Sequence, residues 1–300
     1  MSDSLYDAPI TRKNPALIVF LLDMSGSMNE KVVYEGVTMS KSEALNSIVN
    51  KTIQEMLYRC RKFSGYYNYF DFVALGYSED DTIQLFEEVV GKSSTSDEFY
   101  SVKDLAESQV ENITRQRRST DETGNVRYSL HKVPQYIRPH SYGKTPMYLA
   151  LSKTYDLTKT WIEAHSGTIC FPPIIINITD GEATDAAYPE LLAISDKIRS
   201  LKTCNGSVLL LNIHIGNSSD TKDSVRFPKC HTDLPCVKYA KDLFEMSSIL
   251  PESMCPALKG ILSAKDVEDI RGSRMMTFNS SMVTILEAIN IGTVSIINHI

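Results

Sequence analysis

The chain has 300 residues, 42% of them hydrophobic, enough to bury one large core, so it reads as globular rather than disordered or fibrous. Lys and Arg total 31 against 37 Asp and Glu, a formal charge of -6, which lacks the basic excess that binding along a phosphate backbone requires and argues against nucleic acid as a partner. The polar start MSDSLYDAPITRKNP has neither the basic leader nor the apolar centre of an export signal, and six cysteines scattered over a long chain fit reduced thiols; the expectation is a cytoplasmic protein with no membrane partner.

Residues 1–14 read as a polar tail, 15–292 as one domain and 293–300 as a C-terminal tail. ALIVFLL is uniformly apolar, as a strand buried on both faces should be. SKSEALNSIVNKTIQEMLYRCRKF spaces Ala44, Leu45, Ile48, Val49, Ile53, Met56 and Leu57 by three and four, an amphipathic helix with Ser40 or Ser42 as cap. YFDFVALGY and TIQLFEEV predict two strands joined by the acidic turn SEDD, an antiparallel edge pair. Residues 91–142 break the rhythm and read as an insertion. It holds a helix over SDEFYSVKDLAESQVENITRQRR, with RQRR as its solvated end, and a small hairpin near DETGN; its polar composition predicts little burial. Beyond it come the strand IIINIT, the helix YPELLAISDKIRSL, the strand SVLLLNIHIG and a long loop at 216–236. A helix over CVKYAKDLFEMSSIL, a short strand RMMTFN and a final helix SSMVTILEAIN complete the pattern. The predicted class is α/β: a doubly wound, Rossmann-like, mostly parallel sheet with one antiparallel edge strand and helices on both faces.

LIVFLLDMSGSM places Asp23, Ser25 and Ser27 at the end of the first strand, and IIINITDGEATD places Asp180 at the end of another. Thr145 immediately precedes Pro146, a residue suited to the first turn of a helix, so its hydroxyl belongs at that helix's start. In an open α/β sheet the carboxyl ends of strands at the switch point are where ligands bind. Two carboxylates and three hydroxyls form an all-oxygen set, suited to Mg²⁺, Mn²⁺ or Ca²⁺ and poorly suited to zinc or copper.

Asp23-Met24-Ser25-Gly26-Ser27, then Thr145 within GKTPMYLAL, then Asp180-Gly181 resembles the metal-ion-dependent adhesion site of the von Willebrand factor A domain. The resemblance implies that Ser25, Ser27 and Thr145 bind Mg²⁺ through oxygen and that Asp23 and Asp180 act largely through water. It further implies that a partner protein's Asp or Glu takes the open position. Taken with the expected location, it suggests a protein-binding adaptor without catalysis, similar to stand-alone cytoplasmic bacterial A-domain proteins of the tellurite-resistance-associated type. Such proteins work beside a kinase, a phosphatase or an AAA+ ATPase.

Rival chemistries fit less well. A Mg²⁺-dependent phosphohydrolase using Asp23 would place an acid two positions on, where Ser25 stands. A P-loop ending at Gly143-Lys144-Thr145 would need glycine at 138, which is Arg138. A structural subunit whose metal only stabilises the fold is a third reading. Cys230, His231, Cys236 and Cys255 lack the paired C-x-x-C spacing of structural zinc sites. Asp185 reads as a cap for the helix that follows it, and His214 as a packed histidine within a strand.

Overall fold

Ala16–Asp23 is buried at every position, which a strand achieves only when both faces of its sheet are covered. The computed structural model describes residues 5–79, 81–93, 98–120, 125–216, 224–255, 270–281 and 288–289. In chain order come β1 (Ala16–Asp23), a 3-10 turn at Gly26–Asn29, β2 (Lys31–Tyr34), β3 (Val37–Ser40) and α1 (Lys41–Arg59). Next are β4 (Arg61–Lys62), β5 (Gly65–Tyr66), β6 (Phe70–Ser78), β7 (Asp81–Gln84), α2 (Leu85–Val90), β8 (Tyr100–Ser101) and α3 (Val102–Ala106). They are followed by β9 (Asn112–Thr120), β10 (Val126–Pro134), α4 (Met147–Ala164), β11 (Ile174–Thr179) and α5 (Tyr188–Ser200). The remainder are β12 (Lys202–Thr203), β13 (Gly206–Ser207), β14 (Leu209–Ile215), β15 (Val225–Arg226), α6 (Lys238–Met246) and β16 (Met276–Ser280).

The main sheet runs β15-β16-β14-β11-β1-β6-β7, with β8 also pairing with β6. The pairs from β6 through β1, β11 and β14 to β16 are parallel, and β7 pairs antiparallel with β6 at the edge, as the acidic turn predicts. The two-residue β15 pairs antiparallel with β16 at the other edge. Ile18, Phe20, Ile176 and Ile213 point to the face covered by Ile48, Val49, Ile53 and Met56 of α1. Leu17, Val19, Ile175 and Leu210 point to the face covered by Leu151 and Trp161 of α4, Ile194 of α5 and Phe244 of α6. The fold is therefore the doubly wound α/β class expected. Chain order reverses between β1 and β11, and that crevice is the switch point.

Three local expectations are corrected. TIQLFEEV is strand only to Gln84 and then turns into α2, because Leu85 and Phe86 drop into the core from a helix while the Gln84 side chain accepts the Ala74 amide at 3.1 Å. The helix expected through residue 118 ends at Ala106, and RQRR lies in β9, paired antiparallel with β10 along nine positions. Arg and Gln favour helix only weakly, and cross-strand pairing overrides that preference. Residues 91–142 also bury more than their composition suggests: Tyr100, Val102, Leu105, Val133, Tyr136 and Ile137 belong to the core, and Asn50 Oδ1 accepts the amides of Tyr136 and Ile137 at 2.8 and 3.1 Å. The β2–β3 hairpin, which the pattern reading missed, turns through Glu35 and Gly36, both at positive φ (50° and 78°).

The described part of the 216–236 loop includes β15 and a 3-10 turn at His231–Asp233. Most of the expected final helix lies outside the described residues, although Ala288 and Ile289 are helical and fully buried. Among the described residues no helix is long and apolar enough to cross a membrane.

A line of buried side chains crosses the strands on the α4–α6 face. Tyr77 Oη donates to Asn177 Oδ1 (3.0 Å), Asn177 Nδ2 to Asn212 Oδ1 (3.0 Å), Asn212 Nδ2 to Ser247 Oγ (2.9 Å) and Ser247 Oγ to the Leu243 carbonyl (2.7 Å). All five residues lie in the interior, so each bond replaces water that cannot enter.

Candidate metal site

Asp23 is the last residue of β1 and only 2% exposed. Its Oδ1 accepts the Ser25 amide at 2.8 Å, closing a tight turn, and its Oδ2 accepts Thr179 Oγ1 at 2.6 Å. Burial pushes its carboxyl up to about 6, against the lowering effect of the Thr179 and Ser25 hydrogen bonds, and the nearby Asp180 adds to the rise. Ser25 Oγ lies 3.0 Å from Ser27 Oγ, and Ser27 Oγ donates to Asp180 Oδ1 at 2.6 Å.

Thr145, 5% exposed, is brought to this edge by two backbone lacings. The Gly26 amide donates to the Gly143 carbonyl (2.9 Å) and the Tyr142 amide to the Met24 carbonyl (2.8 Å), laying the 141–145 segment on the serine loop. On the other side the Thr184 amide donates to the Thr145 carbonyl (2.9 Å) and the Thr145 amide to Thr184 Oγ1 (3.1 Å). A Cβ on Gly181 would lie 3.9 Å from Thr145 Oγ1, which places that hydroxyl beside the segment that carries Asp180. The structure thus brings together Asp23, Ser25, Ser27, Thr145 and Asp180 at the switch point, from three separate segments.

Pattern reading missed Lys41. Its ammonium sits 2.9 Å from Asp180 Oδ2 and 2.7 Å from Glu30 Oε2, with a side chain only 3% exposed. It is the first residue of α1, whose cap is a box in which Ser40 Oγ accepts the Glu43 amide and Glu43 accepts the Ser40 amide. A cation at the positive end of a helix opposes the dipole, and that misfit was the available signal of a long-range acidic partner. Asp185 is also corrected: its two oxygens accept the Tyr148 and Leu149 amides at 3.1 and 2.9 Å, so it caps α4, the helix bearing the Thr145 loop, rather than α5. The N-terminus of α5 is instead closed by Glu190, which accepts the Ala187 amide at 2.9 Å.

A cleft of about 400 Å³ beside Ser27, Lys41 and Asp180 is floored by His214 and Asn279. His214 stacks on Phe278 at 4.4 Å and accepts the Asn279 amide on Nδ1 at 3.1 Å. Burial pushes it down to about 4, outweighing its contact with the Asp180 carbonyl, so it is neutral in the folded chain at pH 7. An unfolded histidine titrates near 6.5. Stability from this group is therefore complete above about 6.5 and lost as pH falls towards 4, by about 3 kcal/mol. Asp23, held up to about 6, titrates in the same window with the opposite sign, so the share of His214 is read by difference: in urea denaturation of the metal-free chain, wild type should lose more stability than His214→Gln between about pH 6.5 and 4, and identical pH profiles would exclude this histidine.

The zinc-like residues do not assemble. His231 Nε2 pairs with Glu245 at 2.6 Å, Cys230 and Cys236 are exposed, and Cys255 is buried. Among the described residues no group of three or more His, Cys, Asp or Glu is placed to hold a metal.

Fold and site together define a doubly wound α/β domain with an oxygen-lined crevice at its switch point. No family model matches the chain, and no curated protein matches it. Among solved structures it is similar to a von Willebrand factor type A protein from Catenulispora acidiphila, at 12% identity and a TM-score of 0.39 over 72% of this chain and 42% of that one. It is similar also to the vWF domain of the type V pili tip protein Mfa5 from Porphyromonas gingivalis, at 12% identity and a TM-score of 0.31 over 57% and 39% of the two chains. A third is an uncharacterized membrane spanning protein from Vibrio fischeri, at 15% identity and a TM-score of 0.27 over 67% and 71%. The chain spans about two fifths of the length of the first two.

Proposed function

We propose that the chain is a divalent-metal-dependent protein-binding module of the von Willebrand factor A type, without catalytic activity. The observation that supports this best is the convergence of Asp23, Ser25, Ser27 and Asp180 on one crevice through hydrogen bonds of 2.6–3.0 Å, with Thr145 held beside them by its backbone bonds to Thr184. The donors are all hard oxygens and fit Mg²⁺, with Mn²⁺ or Ca²⁺ as substitutes. Ser25, Ser27 and Thr145 would hold the ion through their hydroxyls, with Asp23 and Asp180 acting through water. A cation bound there would offer an open coordination position to an Asp or Glu of the partner.

The chain's own residues prepare that position. Thr179 and the Ser25 amide fix both oxygens of Asp23, which also leaves Asp23 poorly placed as a nucleophile and weighs against a phosphohydrolase. Lys41, itself paired with Glu30, sets the charge beside the buried Asp180 carboxylate. Cys60, Cys170, Cys204, Cys230 and Cys236 are free thiols, which supports a reducing compartment such as the cytoplasm.

The test compares Thr145→Ala and Thr145→Ser with wild type in capture of the native partner and in thermal stability, each in Mg²⁺ and in chelator. Alanine should lose capture as chelated wild type does while costing on the order of 1 kcal/mol in stability, and serine should restore most of it. Capture by the alanine variant at the wild-type level would refute the mechanism.

A further inference from the structure

The β9–β10 hairpin forms a two-stranded sheet of its own. One edge touches the body, where the Arg118 amide donates to the Glu35 carbonyl at 3.0 Å. An amide that points away from its partner strand belongs to a non-hydrogen-bonded pair, and Arg118 stands opposite Tyr128. The N–H and C=O of Tyr128 therefore point outward from the opposite edge, as do those of Val126, Leu130 and Lys132 two and four residues away. Among the described residues no backbone group bonds to that edge.

The same residues present exposed side chains on one face: Val126, Tyr128 and Leu130 are 43%, 60% and 72% exposed. A long apolar edge strand left open is a template for another chain. The two strands carry Arg115, Arg117, Arg118, Arg127, His131 and Lys132 and no Asp or Glu, within a chain of net charge -6. His131 lies 3.8 Å from Glu35, so the exposed Lys132, on the same face as Tyr128 and Leu130, is the cation best placed to meet a partner at the outer edge.

We propose that the outer edge of β10 is a second docking surface, which takes an acidic, extended segment of a partner protein as an added strand. The exposed amides and carbonyls would pair with that segment's backbone, Tyr128 and Leu130 would receive its apolar residues, and the basic residues would select its acids. A second copy of this chain pairing edge to edge about Ser129 would set Lys132 against Val126 and Arg127 against His131, giving neither cation a carboxylate, whereas an acidic strand supplies one to each. Nucleic acid offers no backbone amides to an open strand edge. This inference does not depend on a metal at the strand-end site.

Fluorescence anisotropy tests it, using the full chain and a labelled peptide that alternates Glu with Val at the length of β10. The comparison probes are a peptide alternating Lys with Val and a DNA duplex. Measured in chelator, where no cation can recruit its carboxylates to the strand-end site, the acidic peptide should bind, more weakly as salt rises, and the basic peptide should not bind. Tyr128→Pro removes an amide that lies outside the β9 ladder and should abolish binding. Lys132→Glu, at an exposed position, should weaken binding about tenfold or more and carries the test if the proline variant unfolds. Equal binding of the two peptides, wild-type affinity in the Lys132→Glu variant, or preference for the duplex would overturn the proposal. A concentration-dependent dimer in sedimentation that Tyr128→Pro dissolves would overturn it in favour of self-association. Loss of the Thr145-dependent capture described above would leave these outcomes untouched.

Discussion

Asp23→Ala should abolish the stabilisation that Mg²⁺ confers on the wild-type chain. A ligand that binds only the folded state stabilises it by mass action, by about 2.7 kcal/mol at a hundredfold excess over Kd. Burial already pushes Asp23 up to about 6 and the nearby Asp180 adds to the rise, so a cation beside Asp23 would relieve an existing cost. Alanine removes that charge, and it also orphans the Ser25 amide and the Thr179 hydroxyl, so the variant is less stable in chelator too. Asp23→Asn separates the two effects, because the amide oxygen still accepts one of those bonds while the charge is gone. Calorimetric titration and melting in Mg²⁺ and in chelator read both. Wild-type Mg²⁺ binding by either variant would move the metal away from β1.

Lys41→Met should cost about 3–5 kcal/mol in the absence of metal, the usual result of breaking a buried ion pair from one side. Glu30 is half exposed and can turn to water, but the Asp180 side chain is fully buried and has no such recourse. Methionine fills a similar volume, so the loss reports charge rather than a cavity. Mg²⁺ beside Asp180 should then recover part of the stability, giving the variant a larger metal-dependent rise than wild type. Denaturant unfolding in chelator and in Mg²⁺ measures both quantities. A loss below about 1 kcal/mol would mean that the pair is effectively solvated, and an identical deficit in both conditions would mean that no cation reaches Asp180.

The strands of the main sheet and the helices on its faces were legible because burial on both faces leaves an apolar run that needs no context. Asp23, Ser25, Ser27, Thr145 and Asp180 were legible as a set because each sits at the end of such a run or the start of a helix, and a parallel sheet gathers those ends on one edge. Lys41 was not, since its partners lie 11 and 139 residues away and ion pairing leaves no periodic trace. The hairpin expected near DETGN is present, between β9 and β10, and Val126, Tyr128 and Leu130 alternate with polar residues as a strand does; its β9 half was misread as helix because Arg115-Gln116-Arg117-Arg118 carries no such alternation and Arg and Gln are as content in a helix. Asp185 was assigned to the nearer helix by proximity in sequence, whereas the loop folds back to put it under α4.

The buried amides of Asn177 and Asn212 bear on a different problem, the alignment of the sheet itself. Leu17–Leu22, Ile174–Ile178 and Leu209–Ile215 are so uniformly aliphatic that sliding one strand past its neighbour by two residues would keep the same faces buried and exchange one branched side chain for another. Hydrophobicity alone barely distinguishes the correct alignment from such a slip. In the observed one Asn177 stands directly opposite Asn212, and Tyr77 and Ser247 meet their outer ends. Any displacement would strand two amides in hydrocarbon without partners, a penalty of several kcal/mol that no gain in packing offsets. A single polar rung thus acts as a key that admits one alignment of β11 with β14 and, through Tyr77, with β6, which encloses β1 between strands whose positions are set and leaves its last residues level with the end of β11, Leu22 opposite Ile178.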